Sequence, residues 1–95
     1  MNLGKVVGTV VSTRKEPVLD GIRFLLVRLV DTEGKDTSAF VVAADAMGAG
    51  PGEMVLTAAG SSARQTALTD KKPVDNVIMA IVDTWEVDGE TKYTK

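Results

Sequence analysis

Residues Ile22 to Asp31 read Ile-Arg-Phe-Leu-Leu-Val-Arg-Leu-Val-Asp, and this run sets the problem the chain must solve. Side chains of an extended strand alternate between two faces. Ile22, Phe24, Leu26 and Val30 then fall on one face, and Leu25, Val27 and Leu29 on the other. A strand with one wet face alternates apolar and polar residues instead. The stretch from Val77 to Val87 is likewise largely apolar on both faces. A chain of 95 residues buries only about 60–70% of the surface its unfolded form exposes, so its material for covering two faces is limited. A further copy of the same chain is the simplest cover for the second face, since an open apolar patch invites aggregation. Loops and a short helix are the alternative cover.

The other segments read mostly as strands. Leu3 to Thr13 holds four Val and two Thr, β-branched residues that suit a pleated strand. Gly4 and Gly8 inside it signal a bend, a bulge or a close backbone approach. Arg14 to Gly21 is a loop carrying Glu16-Pro17 and Asp20-Gly21. After the turn Thr32 to Asp36, a third strand runs from Ser38 to Ala44. Asp45 to Gly52 is a glycine-rich loop, and Glu53 to Ala59 reads as a fourth strand. Ser62 and Gln65 have the spacing of a capping box, which predicts a short helix from Gly60 to Leu68 at most. Val77 to Val87 reads as one fifth strand, with Asp88-Gly89 turning into a short edge strand at Thr91 to Tyr93. Five strands with one short helix predict an all-β fold, a small barrel of the oligonucleotide-binding type, in one domain over residues 1–95.

Composition removes most chemistry. The chain has no Cys, hence no disulfide or thiolate, and no His, the commonest general base and metal ligand. No metal site and no cofactor are expected. Lys plus Arg is 11 against 13 for Asp plus Glu, and aromatic residues are only 4%, so both the basic stripe and the stacking platform of a nucleic-acid binder are missing. No apolar run approaches the roughly 20 residues of a membrane-spanning helix. The segment Met1 to Val11 lacks the pattern of a signal peptide, and the expectation is a soluble, unexported protein.

The remaining motifs favour structure over catalysis. Met47-Gly48-Ala49-Gly50-Pro51-Gly52-Glu53 has neither the Lys-Ser/Thr of a phosphate-binding loop nor a following helix. It reads as a tight loop using glycines for unusual backbone angles. Gly60-Ser61-Ser62-Ala63-Arg64 offers serines and a cation, but a Ser nucleophile would need a Lys or carboxylate base that the spacing does not supply. Trp85 reads as packing, and no catalytic residue is assigned.

The chain resembles the EutN/CcmL family, the pentameric vertex proteins of bacterial microcompartment shells. The resemblance runs from Gly4 to Asp83. It is carried by Lys5-Val6-Val7-Gly8-Thr9-Val10-Val11, by Ala43-Ala44-Asp45 leading into Gly48-Ala49-Gly50, and by Gly52-Glu53. Gly60-Ser61-Ser62-Ala63-Arg64 and Pro73-Val74-Asp75 leading into Ala80-Ile81-Val82-Asp83 complete it. Many relatives carry Trp after the Gly-Glu pair, where this chain has Met54.

The resemblance implies a five-stranded barrel assembled as a ring of five. It implies a structural role, closing an icosahedral shell at its corners among hexameric and pseudohexameric tiles in the bacterial cytoplasm. Carboxysomes and catabolic metabolosomes both use such proteins. It implies that Ser61, Ser62, Ala63, Arg64 and Gln65 lie at a subunit interface or near the central opening. Gly48, Ala49, Gly50, Gly52 and Glu53 are implied to form a shaped loop beside a neighbour or the shell. Asp45, Pro73, Val74, Asp75 and Asp83 are implied to be structural. The partners expected are the chain itself and the shell tiles, with no nucleic acid and no membrane. The rival is a barrel module binding single-stranded nucleic acid or a small anionic ligand.

Overall fold

The computed structural model describes residues 1–95. Its strands are β1 (Asn2–Val10), β2 (Phe24–Val30), β3 (Asp36–Asp45), β4 (Met54–Ala59), β5 (Asn76–Ile81), β6 (Thr84–Val87) and β7 (Glu90–Thr94). Two 3-10 turns, Pro17–Leu19 and Gly60–Arg64, are its helical elements. The first five strands close a barrel in the order β1-β2-β3-β5-β4, and β6 pairs with β7 in a separate hairpin. The five-stranded all-β barrel expected from the sequence is therefore present.

The barrel closes because small and β-branched residues meet at its tightest points. β1 pairs with β2 on one side and β4 on the other, both antiparallel. Gly4 is buried where β1 crosses β2, and a Cβ there would collide with Val27 Cγ1. The register of β1 on β2 shifts between Val6 and Gly8, a bulge that bends the strand around the barrel. The seam between β3 and β5 is a short parallel contact, Ala44 beside Val77 and Asp45 beside Ile78.

Two cores follow from this closure. Inside the barrel pack Val6, Leu25, Val27, Ala43, Ala49, Val55 and Ile78. A satellite core forms from Ile22, Ala44, Ala58, Ala63, Val74 and Val77, with Leu19 and Phe24 against it. It draws on the β1–β2 loop and the second 3-10 turn. The alternative cover, by loop and short helical turn, thus exists for one side of β5, through Ala63 and Val74 against Val77. It does not extend over the outer wall of β1, β2 and β3, where Val10, Phe40 and Val42 stay exposed.

Three sequence expectations need correction. The fifth strand is not continuous to Val87. Val82 donates its N–H to Met54 O at 2.8 Å as the last barrel contact, and the chain then leaves to start β6. The short helix is a single 3-10 stretch, Gly60–Arg64, and Ser62 does not cap it. Its N-cap is Ala59, with no side-chain cap, because Gly60 turns the chain at φ +62. The edge strand is longer than expected, and it pairs with β6 through a turn in which Asp88 and Gly89 both have positive φ.

Candidate functional site

The glycine loop between β3 and β4 is held at both ends by a carboxylate. Asp45 Oδ1 accepts the N–H groups of Met47, Gly48 and Ala49 at 3.0, 2.9 and 3.2 Å. Its other oxygen accepts Arg23 Nη1 at 3.2 Å, and the same Arg23 nitrogen donates to Ala49 O at 3.1 Å. The Asp45 side chain is 3% exposed, so this junction is fixed from within. At the far end Glu53 Oε1 accepts Gly50 N–H at 2.6 Å and Oε2 pairs with Lys95 at 3.1 Å. Gly48 and Gly52 take positive φ, the backbone freedom the glycines were expected to supply. Between the two anchors Ala49 drops into the barrel core. The loop is a rigid plug, with Gly48 and Gly52 exposed on its outer side.

The 60–65 corner presents the exposed side chains of Ser61, Ser62 and Gln65. Ala63 beneath them is fully buried, and its carbonyl accepts Thr69 Oγ1 at 2.6 Å. Arg64 Nη1 donates to Val74 O at 3.3 Å and lies 3.9 Å from the exposed Asp75. Arg64, Val74 and Asp75 therefore come together in space, with Pro73 exposed beside them. Gly60 N–H donates to Asp75 O at 2.8 Å, which fastens the corner to the start of β5. Asp83 lies apart at the exit from the barrel, where its carbonyl accepts Lys95 N–H.

The C-terminal hairpin is docked by polar contacts. Trp85 stacks on Tyr93 with centroids 5.0 Å apart, sits over Gly34, and donates Nε1–H to Thr32 O at 2.8 Å. Lys92 pairs with Glu33 at 2.9 Å and Glu90 at 3.3 Å. The hydrogen bond from Gly50, then Lys95, hold the Glu53 carboxyl below its ordinary range. Glu53 in turn raises Lys95, and Glu33 raises Lys92. No group of His, Cys, Asp or Glu gathers as a metal site. In the glycine loop the carboxylates of Asp45 and Glu53 hold backbone N–H groups, whereas the Asp75 carboxylate is exposed near Arg64.

Known proteins share this fold. The family model described as ethanolamine utilisation protein EutN/carboxysome matches residues 1–83. The carboxysome shell vertex protein CcmL of Gloeobacter violaceus is 48% identical over 95 residues, which cover 100% of this chain and 95% of that one. Its solved structure superposes with a TM-score of 0.96 over 100% of this chain and 98% of the other. The chain belongs to the EutN/CcmL family.

The family includes relatives named for carboxysomes and relatives named for other bacterial microcompartments. The microcompartment shell vertex protein PduN of Salmonella typhimurium is 46% identical over 88 residues, covering 88% of this chain and 97% of that one. The pentameric microcompartment shell protein GrpN of Rhodospirillum rubrum superposes with a TM-score of 0.85 at 41% identity, covering 92% of this chain and 99% of that one. As an EutN/CcmL protein the chain is a structural shell component and not an enzyme. Met54, the position expected from the sequence to depart from the family pattern, is buried at the start of β4.

Several structural residues escaped sequence reasoning. Arg23, Lys92, Lys95 and Glu33 make their contacts across long sequence separations, and no local pattern marks them. Phe40 and Val42 sit in an apolar run, Ala39 to Ala44, whose outward members sequence does not distinguish from inward ones.

Proposed function

We propose that five copies of this chain, each acting as one unit over residues 1–95, close into a ring at the five-fold vertices of a microcompartment shell. The ring would sit among hexameric and pseudohexameric tiles in the bacterial cytoplasm. The observation that carries this reading is the end-to-end match to a shell vertex protein at 48% identity and TM-score 0.96. Geometry supplies the mechanism. A sheet of hexagons is flat, and closing it into an icosahedron requires pentagons at the corners. A ring of five needs a heterologous contact, with one surface of each subunit meeting a different surface of the next.

The rigid elements suit that task. In this proposal Ser61, Ser62, Ala63, Arg64 and Gln65 face the axis or the neighbouring subunit. The loop with Gly48, Ala49, Gly50, Gly52 and Glu53 faces a neighbour or a tile. Arg64 Nη1 is committed to Val74 O, so its role at an interface falls to the rest of the guanidinium fork.

The test is assembly of shells from hexameric microcompartment tiles, with and without this chain. The expected result is closed shells containing the chain when it is present, and open-cornered or elongated shells when it is absent. Equally closed shells in both cases, with no chain co-purifying, would contradict the proposal.

A further inference from the structure

The C-terminal hairpin is joined to the barrel by side chains alone. β6 and β7 pair only with each other. No residue from Thr84 to Lys95 enters either core, and none is buried. Three polar side chains hold the hairpin in place. Trp85 Nε1–H donates to Thr32 O at 2.8 Å, Lys92 Nζ lies 2.9 Å from Glu33 Oε2, and Lys95 Nζ lies 3.1 Å from Glu53 Oε2. Two of these three anchors are ion pairs, each with one half-exposed partner.

The hairpin docks on two loops that are themselves well held. In the β2–β3 turn, Asp31 Oδ1 accepts the N–H groups of Glu33 and Lys35 at 2.9 and 3.0 Å, and Gly34 N–H donates to Asp31 O at 3.0 Å. In the glycine loop, Asp45 fixes Met47 to Ala49. Gly52 N–H donates to Val6 O at 2.8 Å, and Glu53 O accepts Val6 N–H at 3.0 Å. Pro51 has no N–H to place. Gly50 N–H relies instead on the Glu53 carboxylate, whose other oxygen is held by Lys95. Gly50 is therefore the point of the loop that depends on the hairpin.

An isolated two-stranded hairpin is marginal in water. Folded chains open in cooperative units, starting with those that bury the least apolar surface. Salt weakens exposed ion pairs, since the screening length falls from about 10 Å at 0.1 M to about 3 Å at 1 M. We infer that β6–β7 is a salt-released strap. It leaves the β2–β3 turn and the glycine loop as one unit while the barrel stays folded, and its departure loosens the loop at Gly50. The release does not depend on the ring reading. Its use does, because in that reading the glycine loop faces a neighbour or a tile, and the strap sets the rigidity of the loop before that contact forms.

The test is hydrogen exchange of the full-length chain in sodium chloride at about 0.1 M and about 1 M. Trp85, the single tryptophan, serves as an emission probe of the docked state. In high salt its emission should shift to the red while the barrel keeps its circular dichroism. The amides of β6 and β7 should speed up together by about two- to tenfold relative to those of β2 and β4. Lys92→Met removes one anchor without touching the glycine loop. At low salt it should speed exchange in β6, in β7 and at Gly50. Hairpin amides that keep pace with the barrel at both salt concentrations would overturn the strap. A faster hairpin with Gly50 unchanged in Lys92→Met would overturn its link to the loop. Hairpin exchange that slows as the protein is concentrated would place β6–β7 in a contact between chains and overturn a strap internal to one chain. A wild type that is monomeric at every concentration but shows the salt effect would contradict the ring reading and uphold the strap.

Discussion

The Glu53 carboxylate accepts the Gly50 N–H at 2.6 Å and lies 3.1 Å from the Lys95 ammonium. One side chain thus ties the glycine loop to the end of the C-terminal hairpin. The consequence is a defined pH dependence. Glu53 is held below its ordinary value near 4.5, so its contribution to stability is present above that value and is lost as pH falls through the lowered one. Lys92 and Lys95 are raised above 10.5, so theirs is present below that value and is lost as pH rises through the raised ones. Thermal unfolding against pH should show that Glu53→Gln flattens the acid limb and Lys95→Met the alkaline limb. A profile unchanged in both variants would remove the pair from the account.

Gly4→Ala tests how tightly the barrel closes. The added Cβ meets Val27 Cγ1 in the core and lies 3.1 Å from Arg28 O. Overpacking of this kind costs about 1–3 kcal/mol, read by denaturant unfolding. Gly8→Ala is the control. Its Cβ would meet Leu26 at 3.9 Å, ordinary contact, and its effect on monomer stability should be within about 0.5 kcal/mol.

Asp45→Ala should free the glycine loop. The substitution removes the acceptor of three N–H groups and the partner of Arg23. Leaving such donors without a partner costs about 1–3 kcal/mol. Hydrogen exchange at Met47, Gly48 and Ala49 should speed up. Asp45→Asn keeps an acceptor oxygen and should lie between the two. Unchanged exchange in Asp45→Ala would show that the loop is held by other means.

How much of this was legible in the sequence differs by element. The barrel strands were, because runs such as Lys5 to Val11 are β-branched and are cut by Gly and turn residues. The break at Val82-Asp83 was not, because no Gly or Pro marks it. A tertiary contact, Val82 N–H to Met54 O, decides where the barrel ends. The Ser62/Gln65 spacing misled because Gly60 at φ +62 starts the turn earlier and tightens it to 3-10 geometry. The 60–65 corner and the glycine loop were found as motifs. Of the residues that hold them, Asp45, Glu53 and Val74 were named without their contacts, and Arg23 and Lys95 were not, since they reach the glycine loop from 26 and 42 residues away.

Trp85→Phe separates the two roles of the indole. The stack on Tyr93 is kept and the bond to Thr32 O is lost. A net hydrogen bond is worth about 0.5–1.5 kcal/mol, so the variant should unfold at correspondingly lower denaturant. Both cores lie within residues 6–78, and the barrel should stay folded. Loss of barrel circular dichroism in Trp85→Phe would contradict the separation of hairpin from barrel.

The most direct test of the central claim is the native mass of the purified chain across a dilution series. The account predicts a species of about 50 kDa, five copies of the 10.0 kDa chain, as a closed heterologous ring requires. A chain that stays monomeric over the whole series, or stops at a dimer, would contradict it.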